Sequence, residues 1–163
     1  MDVAQSGTDR CLDARLTNFR WDDDMAENDL IPVDVRKIAL TATYCAVVIG
    51  NDEKEFPIYI EPAIGAVIKM FIEDIEKPRP LTHDLIGNIL TGLGVTVMRV
   101  VINDLHDNTY FARLFLKEEN ELGKKIVEID SRPSDSMAIA KMTRSPIFVT
   151  RKVFDIVGKP PTQ

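Results

Sequence analysis

The densest group of chemically capable side chains is Asp130-Ser131-Arg132-Pro133-Ser134-Asp135: two carboxylates, a guanidinium and two hydroxyls in one short stretch. Carboxylates such as Asp130 and Asp135 can hold Mg²⁺ or Mn²⁺ and so activate a water, while Arg132 can offset charge developing on an oxyanion. The stretch Pro78-Arg79-Pro80-Leu81-Thr82-His83-Asp84-Leu85 adds a histidine and a carboxylate at the start of an apolar helical pattern. At a helix start His83 is disfavoured as a cation, which suits a neutral base or ligand. Arg79 adds a cation for an anionic group. The candidate catalytic set is therefore Asp130, Arg132 and Asp135, seconded by His83 and Asp84, with Asp130 and Asp135 as the metal pair. The plainer alternative is that Ser131 or Ser134 caps a helix, Asp135 complements its dipole, and Arg132 pairs with an aspartate to lock the turn.

These groups need elements to hold them. Val127 and Ile129 alternate with Glu128 and Asp130, which predicts a strand over 124–130. Pro133 at a first helical position then opens a helix to about Thr143. Strands are also predicted over 33–40, 44–49, 55–60, 95–104, 109–117 and 147–150. Helices are predicted over 62–75 and 82–93, and a helical turn ends near Gly158. Thr82 is the expected N-cap of the second helix, and Leu85, Ile86, Ile89, Leu90 and Leu93 its buried face. Asp107-Asn108 is hairpin-turn chemistry because both residues tolerate left-handed backbone, which makes His106 an exposed turn residue.

The segment Ile58-Tyr59-Ile60-Glu61-Pro62 through Met70 parallels Val127 through Met142: a strand, a Pro-opened helix, then Lys-Met. An internal duplication of a β-β-β-α unit explains this. The expected fold class is α+β, with helices packed on a mixed, largely antiparallel sheet. The helix from Pro62 is apolar nearly all the way round, apart from a strip of Gly65, Lys69 and Glu73. That breadth predicts a homodimer or larger homo-oligomer built on it, with Ile68 facing outward.

From about Ile31 to Gly158 the chain resembles the bifunctional nuclease family, a small domain credited with cutting both DNA and RNA. The resemblance is carried by Ile126 through Ala140 and by Pro78 through Leu85. It implies a nuclease hydrolysing DNA or RNA phosphodiesters with divalent-metal assistance and no organic cofactor. The family pattern Ile-Gly-x-x-Glu-Ala is here Ile60-Glu61-Pro62-Ala63-Ile64-Gly65, so Ile64 stands where the family has an acid. An activity that depended on that carboxylate would be absent. The competing class is a non-catalytic oligomeric binding or regulatory module of the same fold.

The 163 residues carry a net charge of −6, unevenly spread. Residues 1–30 hold eight acids against three bases, leaving −1 for the remainder. A nearly neutral domain lacks the basic footprint of a general phosphate-backbone binder. Residues 1–29 read as a flexible acidic extension, residues 30–158 as one domain and residues 159–163 as a tail. Cys11 and Cys45 have no metal-ligand spacing. No signal-like start or membrane-length apolar run is present, so a cytoplasmic location without a membrane partner is expected.

Overall fold

The computed structural model describes residues 29–121 and 123–158; the acidic extension up to Asn28 and the tail from Lys159 lie outside the described residues. In chain order the elements are β1 (Leu30–Leu40), β2 (Cys45–Gly50), β3 (Glu55–Ile60), α1 (Pro62–Ile72), α2 (Thr82–Gly92) and β4 (Val95–His106). There follow β5 (Thr109–Asn120), β6 (Gly123–Ser131), α3 (Pro133–Thr143), β7 (Ile147–Thr150) and α4 (Arg151–Ile156). The strands form one seven-stranded sheet in the order β3-β2-β1-β7-β4-β5-β6. Every pairing is antiparallel except β4 with β7. This is the expected α+β class. Each half supplies a three-stranded meander and a Pro-opened helix, flanking β7.

Local chemistry explains the joints. Asp107 and Asn108 both take positive φ, 48° and 59°, and close the β4–β5 hairpin as their side chains allow. Gly65 is required by close approach, since a Cβ there would lie 2.2 Å from Cys45 Sγ. That absence lets α1 sit directly on β2. Arg144 at φ 55° ends α3, and Ser145 N–H closes the last turn on Ala140 O at 2.9 Å.

The core lies between the sheet and the helices. Val47, Ile49, Val100, Ile102 and Val149 from the strands meet Met137, Ala138 and Ala140 of α3 and Ile68 of α1. Phe56 of β3 stacks on Tyr110 of β5 at 6.0 Å, joining the two halves through the interior. Ile68 is fully buried, so the expectation that it faces outward is corrected: α1 spends its apolar girth on β1, β2 and α3. The larger surplus lies on α2, although Ile72 at the end of α1 is also 43% exposed. Ile86 and Leu90 pack against the core, but Leu85, Ile89 and Leu93 are 55%, 52% and 68% exposed. The α2 stripe read as buried is thus split, because α2 rests on α3 and β4 by one side only. Among the described residues no helix is long and apolar enough to cross a membrane.

Candidate functional site

Three helix starts meet at one end of the helical layer. Arg132, just before α3, reaches Glu61, just before α1, at 3.8 Å. Arg144 reaches Asp74 at the far end, also at 3.8 Å, so α1 and α3 lie side by side in the same direction. His83, the second residue of α2, places Nε2 3.4 Å from Asp135 Oδ1 in the first turn of α3. The positive ends of three helix dipoles therefore point into one neighbourhood.

Within it the side chains form a chain of contacts. Arg132 Nε donates to Asp135 Oδ2 at 2.8 Å, and Nη2 to Oδ1 at 3.4 Å. The paired Asp135 carboxylate holds the Arg132 guanidinium firmly protonated. Arg132 remains 61% exposed, so it is available to a ligand and is not a buried lock. The His83 side chain is only 11% exposed and its ring stands edge-on to Phe71, with centroids 6.4 Å apart. With Nε2–H directed at Asp135, Nδ1 is the nitrogen left to take a proton.

Asp84 belongs to a neighbouring arrangement. Its Oδ2 accepts the Leu81 N–H at 2.8 Å and its Oδ1 accepts from Lys77 Nζ at 2.9 Å. Leu81 is the N-cap and Thr82 makes no capping bond; the helix start is satisfied from Asp84 in the manner of half a capping box. Partial burial raises the Asp84 carboxyl, but the bonds from Lys77 and Leu81 outweigh it and leave it below the usual carboxylate range. Lys77 Nζ also lies 4.0 Å from the centre of the Phe71 ring. Asp84 therefore anchors α2, and through α2 the position of His83.

Asp130 goes elsewhere. The Ser131 hydroxyl bonds the Ser136 hydroxyl on α3, so Ser131 faces the helices. Successive strand residues face opposite ways, and Asp130 points to the other side of β6. There it is 75% exposed and 3.7 Å from Arg113, whose other contact is Glu128 at 3.3 Å. The structure thus brings together His83, Asp135 and Arg132, while Asp130 takes Arg113 as its partner. Asp130, on β6, pairs with Arg113, whereas Asp135, in the first turn of α3, is taken up by Arg132 and His83, so the two carboxylates are committed to different partners. Among the described residues no cluster of three or more His, Cys, Asp or Glu side chains is arranged to hold a metal. The side chains present do not fit the Mg²⁺ or Mn²⁺ site expected on Asp130 and Asp135.

Arg79 is exposed in its loop, and His106 is an exposed turn residue 3.2 Å from its neighbour Asp107. Glu61, Phe71 and Lys77 were not singled out in the sequence. Nothing in the spacing of Phe71 and Lys77 signals their convergence on α2, nor in that of Glu61 its contact with Arg132.

Comparison with known proteins adds the lineage. A family model described as the bifunctional nuclease domain matches residues 47–161. An uncharacterised protein of Mycobacterium tuberculosis is 35% identical over 109 residues, covering 67% of this chain and 62% of that protein. Bifunctional nuclease 1 of Oryza sativa subsp. japonica and the bifunctional nuclease of Oryza minuta are each 28% identical over 98 residues. Those matches cover 60% of this chain but only 29% of the rice proteins. The chain thus spans less than two thirds of the length of each of these relatives. It belongs to the bifunctional nuclease domain family.

Proposed function

We propose that this chain is a nuclease acting on DNA or RNA phosphodiesters, with His83, Asp135 and Arg132 as its working groups. The observation that carries this is the His83–Asp135–Arg132 chain of contacts at the meeting of three helix starts. His83 takes a proton at Nδ1 from the attacking water, whose oxygen bonds the phosphorus as the P–O bond to the leaving sugar oxygen breaks, and that oxygen takes a proton from solvent. Asp135 holds the imidazole in the tautomer that leaves Nδ1 open and balances the charge it acquires. Arg132, swinging from Asp135 towards solvent, meets the phosphoryl oxygens as their negative charge builds, in a region where the helix dipoles already favour anions. Names borne by the rice relatives support the reaction class, and the family membership supports the substrate class.

The test is a purified set of wild type, His83→Ala and Asp130→Asn on single-stranded DNA, RNA and duplex DNA. His83→Ala should lose about 10²–10⁴ of the rate, the usual contribution of a positioned acid–base group. Asp130→Asn should retain it. Equal cleavage by all three preparations would identify a contaminating nuclease and sink the proposal.

A second reading, a non-catalytic homo-oligomeric module, is favoured by the exposed Leu85, Ile89 and Leu93 on α2. Light scattering that gives a dimer, together with inactivity of every preparation, would support it.

A further inference from the structure

On the sheet face turned away from the helices, next to the end of β3, Tyr44 and Tyr59 stand out from the surface. They are 50% and 69% exposed, and their rings meet edge to face with centroids 6.3 Å apart at 62°. Cross-strand pairing fixes what lies beside them. Ala39 pairs with Ala46 and Ala46 with Tyr59, while Lys37 pairs with Val48 and Val48 with Pro57. Directly paired residues share a face, so Ala39 and Ala46 floor a flat strip beside Tyr59, with exposed Lys37 on the same strip. Tyr44 is held in place: its N–H bonds Thr41 Oγ1 at 3.1 Å, and its carbonyl accepts from Thr41 N at 2.9 Å and Oγ1 at 2.8 Å.

We infer that Tyr59 and Tyr44 form a stacking platform for unpaired nucleobases, which makes single-stranded nucleic acid the substrate class. This inference rests on the nuclease reading for the identity of its ligand. Aromatic faces bind any base by stacking, but only when the base is free of its partner strand. The platform is continuous with the proposed site. Tyr59 lies two residues from Glu61, about 7 Å along an extended chain, and Glu61 is the residue Arg132 contacts. A base on Tyr59 therefore sits roughly one nucleotide from the phosphate that Arg132 would meet. Arg36 engages Asp52 and Glu55 and Arg132 engages Glu61, so the named charges balance and Lys37 is the cation the strip offers to a backbone phosphate.

The test measures binding apart from cleavage. Short fluorescent oligo-dT, oligo-U and a duplex of equal length are titrated at low salt onto full-length His83→Ala, alone and combined with Tyr59→Ala, Tyr44→Ala or Tyr59→Phe. Tyr59→Ala should weaken both single strands about tenfold or more, Tyr44→Ala somewhat less, and Tyr59→Phe hardly at all. The duplex should bind weakly and without regard to either tyrosine. The dT and U arms distinguish DNA from RNA as the preferred strand. Absent single-strand binding, unchanged binding by Tyr59→Ala, or equal loss on the duplex would overturn the platform. Tyrosine-dependent binding by a wild type that cuts nothing would leave the platform standing and the nuclease proposal fallen.

Discussion

The two Pro-opened helices make an instructive pair. Both follow a three-stranded meander, and they lie side by side with their starts joined by Arg132 and Glu61. Yet α3 begins Arg132-Pro-Ser-Asp135 and buries six residues, two of them serines, whereas α1 begins Glu61-Pro-Ala-Ile64 and buries only Gly65 and Ile68. Helix α3 carries both the proposed working groups and the larger buried face, whereas α1 offers no such polar groups at its start and covers the flank of the sheet. Where the family pattern places an acid, Ile64 is packed against the core, so this half has no carboxylate there to match Asp135. The first half contributes instead through its sheet, where Tyr44 and Tyr59 stand.

The strongest way to break this division is through the core contacts of each helix. Ile68→Glu puts an unpaired charge into a fully buried position of α1 and should cost more than about 4 kcal/mol, leaving little folded protein. Met137→Ala, the cavity-forming change in α3, should cost about 2–5 kcal/mol in denaturant unfolding. Next comes the split in chemistry. Arg132→Ala should lower the rate about 100-fold while barely moving the unfolding midpoint, because the side chain is well exposed. Its α1 counterpart, Glu61→Ala, should change the rate far less; equal losses would erase the distinction between the helices.

A smaller effect concerns the clamp that sets α2 against both. The Asp84 carboxyl titrates below its unfolded value, so its contribution is complete above the ordinary carboxylate range, near pH 4. It is lost as the pH falls through the lowered value. Unfolding midpoints measured from pH 6 down to pH 2 should therefore fall more steeply for wild type than for Asp84→Asn. Smallest of all, Leu93→Ser on the exposed stripe of α2 should stay within about 0.5 kcal/mol of wild type, unlike Leu90→Ser on the inward side. A large loss for Leu93→Ser would mean that the stripe is covered.

Much of the fold was legible because local chemistry was consistent. Pro62 and Pro133 open their helices where expected, and Asp107-Asn108 turns the hairpin. The candidate site was only half legible. Arg132 and Asp135 are close in sequence and stay close in space, but His83 reaches Asp135 across 52 positions, which no local pattern reports. Asp130 shows the opposite case, close in sequence to Asp135 but paired with Arg113. Proximity in sequence suggested a shared site, while the period of the strand sent it to the other face. The apolar width of α1 and α2 was visible, but which surplus a neighbour would cover depends on how α1, α2 and α3 nest.

The position of β7 bears on how the chain is made. This four-residue strand pairs with β1 on one side and β4 on the other, and among the described residues it is the strand that joins the two meanders. During synthesis both meanders can emerge and pair internally, yet each keeps an open hydrogen-bonding edge until residues 147–150 arrive. Closing the sheet then brings together Leu30 and Thr150, nearly the whole described span of the chain, a slow and entropically costly event. Chains interrupted before Ile147 would add the open edges of β1 and β4 to those of β3 and β6, and aggregation is the hazard.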